Sequence, residues 1–160
     1  MRAPIDNFDG YETWNDGTSR LANSGSGNGT KILQAGVEYT YVFEGISGRI
    51  DSTRDTSTKA GAPCIRSVDF WGSSLQTTTY NYAFSGATNL TDVPDNLPSY
   101  GNSLYMSYMF SGATNFNDPS VTKWDITKAV RTNYMFQNAT SFNQNVASWN
   151  TAKVTDMSYM

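Results

Sequence analysis

The chain reads AFSGATNL at residues 83–90, MFSGATNF at 109–116 and MFQNATSF at 135–142. The three stretches align without gaps, and the phenylalanine in the second position recurs after 26 residues each time. A unit of this length cannot bury an apolar side by itself, so successive units must stack and share a continuous core. The sequence therefore predicts a repeat solenoid in which equivalent side chains lie above one another.

The repeat also predicts which side chains form the columns of that core. Beyond the phenylalanines the last two units stay aligned, although their tryptophans lie 25 residues apart, which indicates a one-residue insertion near 118–119. A fully buried Phe or Met contributes roughly 1.5 to 3 kcal/mol. We expect the structural columns to be Phe84/Phe110/Phe136, Leu90/Phe116/Phe142, Trp124/Trp149 and Met109/Met135/Met160.

The first 62 residues do not follow the repeat and are interpreted separately. Alternating apolar residues at 37–44 predict a strand, and 45–50 are expected to turn and return as its partner. We therefore expect an N-terminal β-hairpin capping module at 31–62, preceded at 1–30 by an extended arm and a Gly/Ser linker. The solenoid then occupies 63–160, with about three and a half repeats of short strands and short helical or 3-10 turns, and the whole chain is β-rich.

Composition excludes several classes of protein. Aromatic residues make up 14% of the chain, which indicates a folded protein rather than a disordered one. A net charge of -3 leaves no basic face for phosphates, so we expect neither nucleic acid nor anionic lipid as a partner. The sequence has no apolar stretch long enough to cross a membrane, so we expect no membrane insertion.

Cysteine and histidine usage bears on catalysis and metal binding. Cys64 is the only cysteine, which rules out an intrachain disulfide, and the chain contains no histidine. Histidine-based general bases, nucleophile-activating triads and imidazole-containing zinc sites are therefore absent. We expect no enzyme activity, no catalytic residue, no cofactor and no metal.

Two other sets of residues resemble known functional motifs. The segment 25–31 reads GSGNGTK, but it lacks the Gly-Lys-Ser/Thr order of a phosphate-binding loop and follows no apolar strand. A glycosidase would need two carboxylates about 5 to 10 Å apart. The candidates fall in loops at different phases of the coil, where capping of the loop is the commoner role; they are Asp92, Asp95, Asp118 and Asp125.

Tyrosine holds one position of every unit and supplies the candidate ligand-binding residues. If exposed, such a column would offer a platform for a sugar or a protein. The alternative, which the sequence favours, is that the tyrosines are half-buried edges of the core. The four residues are Tyr82, Tyr108, Tyr134 and Tyr159.

The last unit carries a resemblance to a known family. Residues 135–143 read MFQNATSFN and 149–160 read WNTAKVTDMSYM, and this unit resembles the repeat of BspA-like leucine-rich-repeat surface proteins and the Mycoplasma lipoprotein-type repeats. The match covers about 65–160 and is weakest at 91–105. The resemblance implies a leucine-rich-repeat-like solenoid used in adhesion on bacterial surfaces, or in phage virion proteins that carry the same repeats.

The start of the chain directs the choice between these locations. Taken as the natural start, residues 1–9 have no apolar run after their single positive charge, so we expect no secretory signal. A phage structural protein needs no export signal, which favours a decoration or fibre protein of a virion. The alternative is a bacterial cell-surface adhesin of the BspA-like type, and a carbohydrate-active enzyme is the third candidate.

Partners are expected at both ends of the chain. A coil that ends at Met160 would expose its apolar face, which soluble monomers avoid. We therefore expect either that the natural chain continues past Met160 or that a neighbouring subunit covers that face. Other virion proteins, or copies of the chain itself, are expected to contact the N-terminal arm and the open C-terminal coil. A host surface protein or a glycan is a further expected contact.

Overall fold

The computed structural model describes residues 5–14, 19–22, 41–50, 62–71 and 77–160. Near the N-terminus, three strands form an antiparallel sheet in the order β2-β1-β3. The strands are β1 (Ile5–Trp14), β2 (Ser19–Ala22) and β3 (Tyr41–Ile50).

This sheet differs from the arm and hairpin expected from the sequence. β1 lies in the expected arm, yet it is the central strand and pairs with both β2 and β3. β3 continues through 45–50, so the prediction of a turn and a return strand there is wrong. Alternation along a segment identifies a strand but not its partner, because pairing depends on a distant segment. The predicted linker at 23–29 and residues 37–40 lie outside the described residues, and the domain boundaries stay predictions.

From residue 77 onward, each unit lies against the next through backbone hydrogen bonds. An amide N–H donates to the carbonyl oxygen of a residue about one unit further along the chain, which satisfies backbone groups that these irregular loops would otherwise leave unpaired. The donor–acceptor pairs are Tyr82–Ser107, Phe84–Met109, Gly86–Ser111, Tyr108–Asn133, Phe110–Met135, Gly112–Gln137 and Tyr134–Ser158.

Regular elements in this region are short. β4 (Leu104–Tyr105) pairs in parallel with β5 (Ala129–Arg131). The 3-10 helix Pro119–Lys123 lies in this region, and another 3-10 helix, Ala62–Cys64, precedes it. Isolated bridges between equivalent positions are also parallel, as in Thr79 with Tyr105 and Arg131 with Asp156. Equivalent segments therefore run in the same direction, whereas membership of the leucine-rich-repeat-like solenoids stays a prediction.

The core consists largely of side chains at repeat spacing. The ring centroids of Phe84 and Phe110 lie 5.5 Å apart, those of Phe110 and Phe136 also 5.5 Å, and those of Phe116 and Phe142 6.0 Å. Phenylalanines within one unit stack as well, since the centroids of Phe110 and Phe116 are 4.1 Å apart. The phenylalanines of neighbouring units thus form a single continuous aromatic cluster.

The tryptophans link their own unit to the one before it, and the methionines differ in how deeply they are buried. Trp124 packs on Phe110, and Trp149 packs on Phe136, so each tryptophan contacts the phenylalanine of its own unit. The indole N–H groups reach the preceding unit and donate to the carbonyls of Pro94 and Val121. Within the methionine column the side chains differ in burial: Met109 and Met135 are buried, whereas Met160 is 37% exposed.

Candidate functional site

The four tyrosines at the shared repeat position form one stacked column, called here the tyrosine column. The ring centroids of Tyr82 and Tyr108 are 4.8 Å apart with their planes at 10°. Those of Tyr108 and Tyr134 are 4.5 Å apart at 5°, and those of Tyr134 and Tyr159 are 4.7 Å apart at 13°. The rings are therefore nearly parallel and repeat once per unit.

The backbone of the tyrosine column is left-handed throughout. The φ angles of its tyrosines, in chain order, are 62°, 59°, 58° and 55°. Such angles are uncommon for bulky residues and cost on the order of 1 to 3 kcal/mol each. An aromatic pair recovers about 0.5 to 1.5 kcal/mol. Stacking therefore offsets only part of the cost of placing tyrosine here.

The exposure of the tyrosine column is graded along its length. Tyr82, Tyr108 and Tyr134 are half-buried, while Tyr159 is 71% exposed. The faces of the Tyr108 and Tyr134 rings are covered by the neighbouring tyrosines on both sides. What these two residues present to solvent is therefore ring edges and hydroxyl groups rather than ring faces.

Stacking also changes the acidity of the central hydroxyl. The pKa of Tyr134 is raised above its usual value, first by desolvation and then by the neighbouring Tyr108, Tyr159 and Asp156. A hydrogen bond with the Tyr108 side chain acts in the same direction. Tyrosine is already protonated at neutral pH, and the upward shift of the pKa extends to more alkaline pH the range in which this hydroxyl is both a donor and an acceptor.

Two polar columns flank the tyrosines, and the sequence analysis did not single them out. Residues directly preceding the tyrosines are linked by side-chain bonds: Asn81 Oδ1 accepts the Ser107 N–H at 2.8 Å, and the Ser107 hydroxyl donates to Asn133 Oδ1 at 2.6 Å. Three residues before each tyrosine lie Thr79, Tyr105, Arg131 and Asp156. Their constant offset of three residues from the tyrosines is the sequence pattern by which they could have been identified.

The charged members of this second column lie side by side. Arg131 and Asp156 form a parallel bridge, and Arg131 is exposed. The Asp156 carboxylate accepts hydrogen bonds from the Ser158 hydroxyl at 2.7 Å and the Ser158 N–H at 3.0 Å. These bonds, with a smaller contribution from the charge of Arg131, hold the pKa of Asp156 below its usual range. One positive and one negative charge therefore flank the tyrosines.

The four candidate glycosidase carboxylates each have a local structural partner. Asp118 accepts the N–H groups of Val93 and Ser120, and Asp95 forms an exposed ion pair with Lys123 at 3.3 Å. The other two bond to hydroxyls of adjoining threonines, Asp92 to Thr91 and Asp125 to Thr127. The bonds from Thr127 lower the pKa of Asp125, which disfavours a role as proton donor.

Neither a cluster of metal ligands nor a membrane-spanning helix occurs among the described residues. Among them, no three Asp, Glu or Cys side chains are grouped so that they could hold a metal ion. The same part of the chain contains no helix with the length and apolar character needed to cross a bilayer.

Comparison with known proteins gives one match. The model of a Mycoplasma protein family of unknown function, DUF285, matches residues 65–160. No curated protein and no solved structure matches the chain. The match agrees with the resemblance to Mycoplasma-type repeats, and it covers more than half of the chain. The protein therefore belongs to the DUF285 family.

Proposed function

We propose that the protein is a non-enzymatic structural and binding protein whose stacked units display the tyrosine column as a contact surface. The observation that carries this proposal is the conformation of the column. Four tyrosines keep a strained left-handed backbone where glycine or asparagine would cost less. Strain retained at one surface position in every unit is typical of a functional constraint.

The residue types at the tyrosine column suit recognition rather than catalysis. Tyrosine and arginine are enriched at protein interfaces and at the residues that dominate binding. The four candidate carboxylates hold loops or pair with neighbouring side chains. These residue types thus favour a contact protein, and we propose that its units form a leucine-rich-repeat-like solenoid.

Two locations are proposed for this contact protein. The first is the virion of a phage, where it would serve as a decoration or fibre protein and contact other virion proteins. The second is the surface of a bacterial cell, where it would act as an adhesin of the BspA-like type. The match to a Mycoplasma protein family of unknown function is consistent with a surface repeat protein, and it does not distinguish between the two locations.

Fractionation of the natural source separates the two locations. Antibodies against the chain should detect it in purified phage particles from lysed cultures if the virion proposal holds. Recovery from the membrane or cell-wall fraction of uninfected cells would support the adhesin and contradict the virion. Recovery only in the soluble fraction of uninfected cells would contradict both.

A glycan-hydrolysis assay tests the non-enzymatic part of the proposal. The purified full chain is expected to leave bacterial and host glycans intact. Hydrolysis that is lost in Asp118→Asn or Asp125→Asn, but kept in Tyr100→Asn, would overturn the proposal in favour of a glycosidase.

A further inference from the structure

The tyrosine column repeats every 4.5 to 4.8 Å, and this period restricts what can bind along it. A partner that makes the same contact with each tyrosine must repeat at the same distance. An extended peptide places a residue every ~3.3 Å and a same-face side chain at twice that spacing, so it loses register along the column. A second copy of the chain has the matching period by construction.

We propose that the tyrosine column pairs two copies of this chain side by side, related by a two-fold axis. This inference rests on the proposed role as a contact protein and names the partner of that surface. The alternative partner, a sugar, would need a free ring face on which to stack. The faces of Tyr108 and Tyr134 are already covered by neighbouring rings, which leaves edges and hydroxyls for contact.

Hydroxyl groups make the tyrosine column complementary to itself. Each tyrosine hydroxyl is at once a donor and an acceptor, so a line of hydroxyls can bond an identical line. Stacking also orders the rings before any partner arrives, which lowers the entropy lost on association.

The flanking charges complement themselves under the same symmetry. A two-fold axis brings residue i of one copy against residue j of the other, and residue j against residue i. Arg131 of one copy would therefore face Asp156 of the second copy, and the second pair would form in return. Since Arg131 and Asp156 occupy adjacent units at one repeat position, one axis between these units satisfies both pairs. The same axis places Tyr134 of each copy opposite Tyr159 of the other.

The size of the tyrosine column sets the expected strength of pairing. Across the proposed axis, Tyr134 and Tyr159 of each copy meet, and within one copy their ring centroids lie 4.7 Å apart. A stable interface usually buries about 800 Å² on each partner, which is more than so small a contact supplies. We expect weak, concentration-dependent dimers that become significant where many copies are held close together.

Analytical ultracentrifugation of the purified full chain tests the pairing. The wild type is expected to form a reversible dimer as its concentration rises. The double variant Tyr134→Asn/Tyr159→Asn should weaken dimerisation at least about tenfold, because it removes the rings and hydroxyls that meet across the axis. Asparagine is chosen because Asn138 already adopts the same left-handed backbone. The matched control is Tyr100→Asn, which removes an exposed tyrosine outside the column and should dimerise like wild type.

Charge reversal tests the two-fold geometry. Arg131→Asp should weaken dimerisation about tenfold, because two carboxylates would then face each other across the axis. The double variant Arg131→Asp/Asp156→Arg should restore it. The variant Tyr134→Phe/Tyr159→Phe keeps the stacked rings and isolates the contribution of the hydroxyls, and it should dimerise less than wild type. Near-UV circular dichroism confirms that each variant is folded.

Three results would overturn the pairing. The first is a monomer at every concentration, and the second is a dimer that the asparagine variant leaves unchanged. The third is a monomer that binds a glycan and loses that binding in the asparagine variant, which would assign the tyrosine column to a sugar. Each is measured on the isolated chain, so none bears on whether the protein is found on virions or on cells.

Discussion

At the scale of single residues, left-handed backbone angles distinguish two positions in each unit. One position holds Gly86, Gly112 and Asn138, with φ of 75°, 74° and 59°. Glycine and asparagine are the residues that adopt this conformation most readily. The other position holds the tyrosine column, whose residues do not adopt it readily. At the glycine and asparagine position, the residue types match the left-handed backbone. At the tyrosine position they do not, which indicates that the tyrosine side chain itself is required there.

Substitutions of Gly112 should show whether glycine is needed there because of the backbone conformation or because of a lack of space. A Cβ at this position would lie 3.7 Å from Gly86 Cα, an ordinary contact. Gly112→Ala should therefore lower the free energy of unfolding by about 1 to 2 kcal/mol through φ alone. Gly112→Asn should cost less, as Asn138 shows that asparagine adopts this φ. Urea unfolding measures both, and a larger cost for asparagine would point to crowding instead.

Tyr80 should make stability depend on alkaline pH. The side chain is fully buried, its hydroxyl donates to the Pro98 carbonyl at 2.8 Å, and burial raises its pKa well above the usual range. In the unfolded chain tyrosine ionises near pH ~10, whereas in the folded chain the proton stays bound. The contribution is therefore complete below pH ~10 and is lost above it, by up to about 1.4 kcal/mol per pH unit.

Urea unfolding on both sides of pH ~10 measures this loss. Tyr80→Phe should make the decline less steep, because no buried hydroxyl remains to ionise on unfolding. Tyr100→Phe changes an exposed tyrosine and should leave the decline as it is in the wild type. Equal slopes for wild type and Tyr80→Phe would show that other groups cause the decline.

At the scale of elements, the 3-10 helix Pro119–Lys123 shows how a short element is joined to the preceding unit. Asp118 caps its start, with Oδ1 accepting the Ser120 N–H at 2.9 Å, and a proline opens the helix. Oδ2 of the same carboxylate accepts the Val93 N–H at 2.7 Å from the unit before. One buried side chain therefore both starts the helix and fixes its position.

Removal of the Asp118 carboxylate should cost more than removal of an ordinary turn residue. Asp118→Ala loses the cap and leaves the buried N–H of Val93 without its acceptor, so we expect a loss of at least about 2 kcal/mol. Asp125→Ala is the matched control, because Asp125 is exposed and bonds only within its own turn. We expect that change to cost under about 1 kcal/mol. Similar losses in chemical denaturation would show that the bond to Val93 contributes little.

At the scale of the whole molecule, contacts between neighbouring units dominate the described part of the repeat region. Backbone bonds and stacked rings join each unit to the next at equivalent positions. If the region is a solenoid, its stability is a sum of terms for units and for the interfaces between neighbours. A whole unit is then removable, whereas part of a unit is not.

Deletion of residues 110–135 tests this arrangement. The deletion joins Met109 to Phe136 and keeps equivalent residues above one another. The shortened chain should still unfold cooperatively, with a smaller dependence of its free energy on urea because less surface is exposed. Deletion of residues 110–122, half a unit, should abolish cooperative unfolding. A folded half-unit deletion would contradict stacking by repeat position.

The amino-acid sequence alone establishes which residues of successive units are equivalent. The 26-residue spacing identifies these equivalent residues without coordinates, because every unit repeats the same pattern. It was enough to identify the phenylalanine positions and the four tyrosines. It was not enough for the N-terminal strands, whose pairing of β1 with β3 joins segments that share no repeat.

How equivalent residues meet depends on the packing of one unit on the next, which the sequence does not show. Neighbouring rings of the tyrosine column lie 4.5 to 4.8 Å apart and therefore cover each other's faces. The left-handed φ of each tyrosine sets the direction of its side chain. The fold also places Trp124 on the phenylalanine of its own unit and sets Arg131 beside Asp156. The spacing along the chain shows which residues recur. The distance and the orientation between equivalent side chains depend on how closely one unit packs on the next.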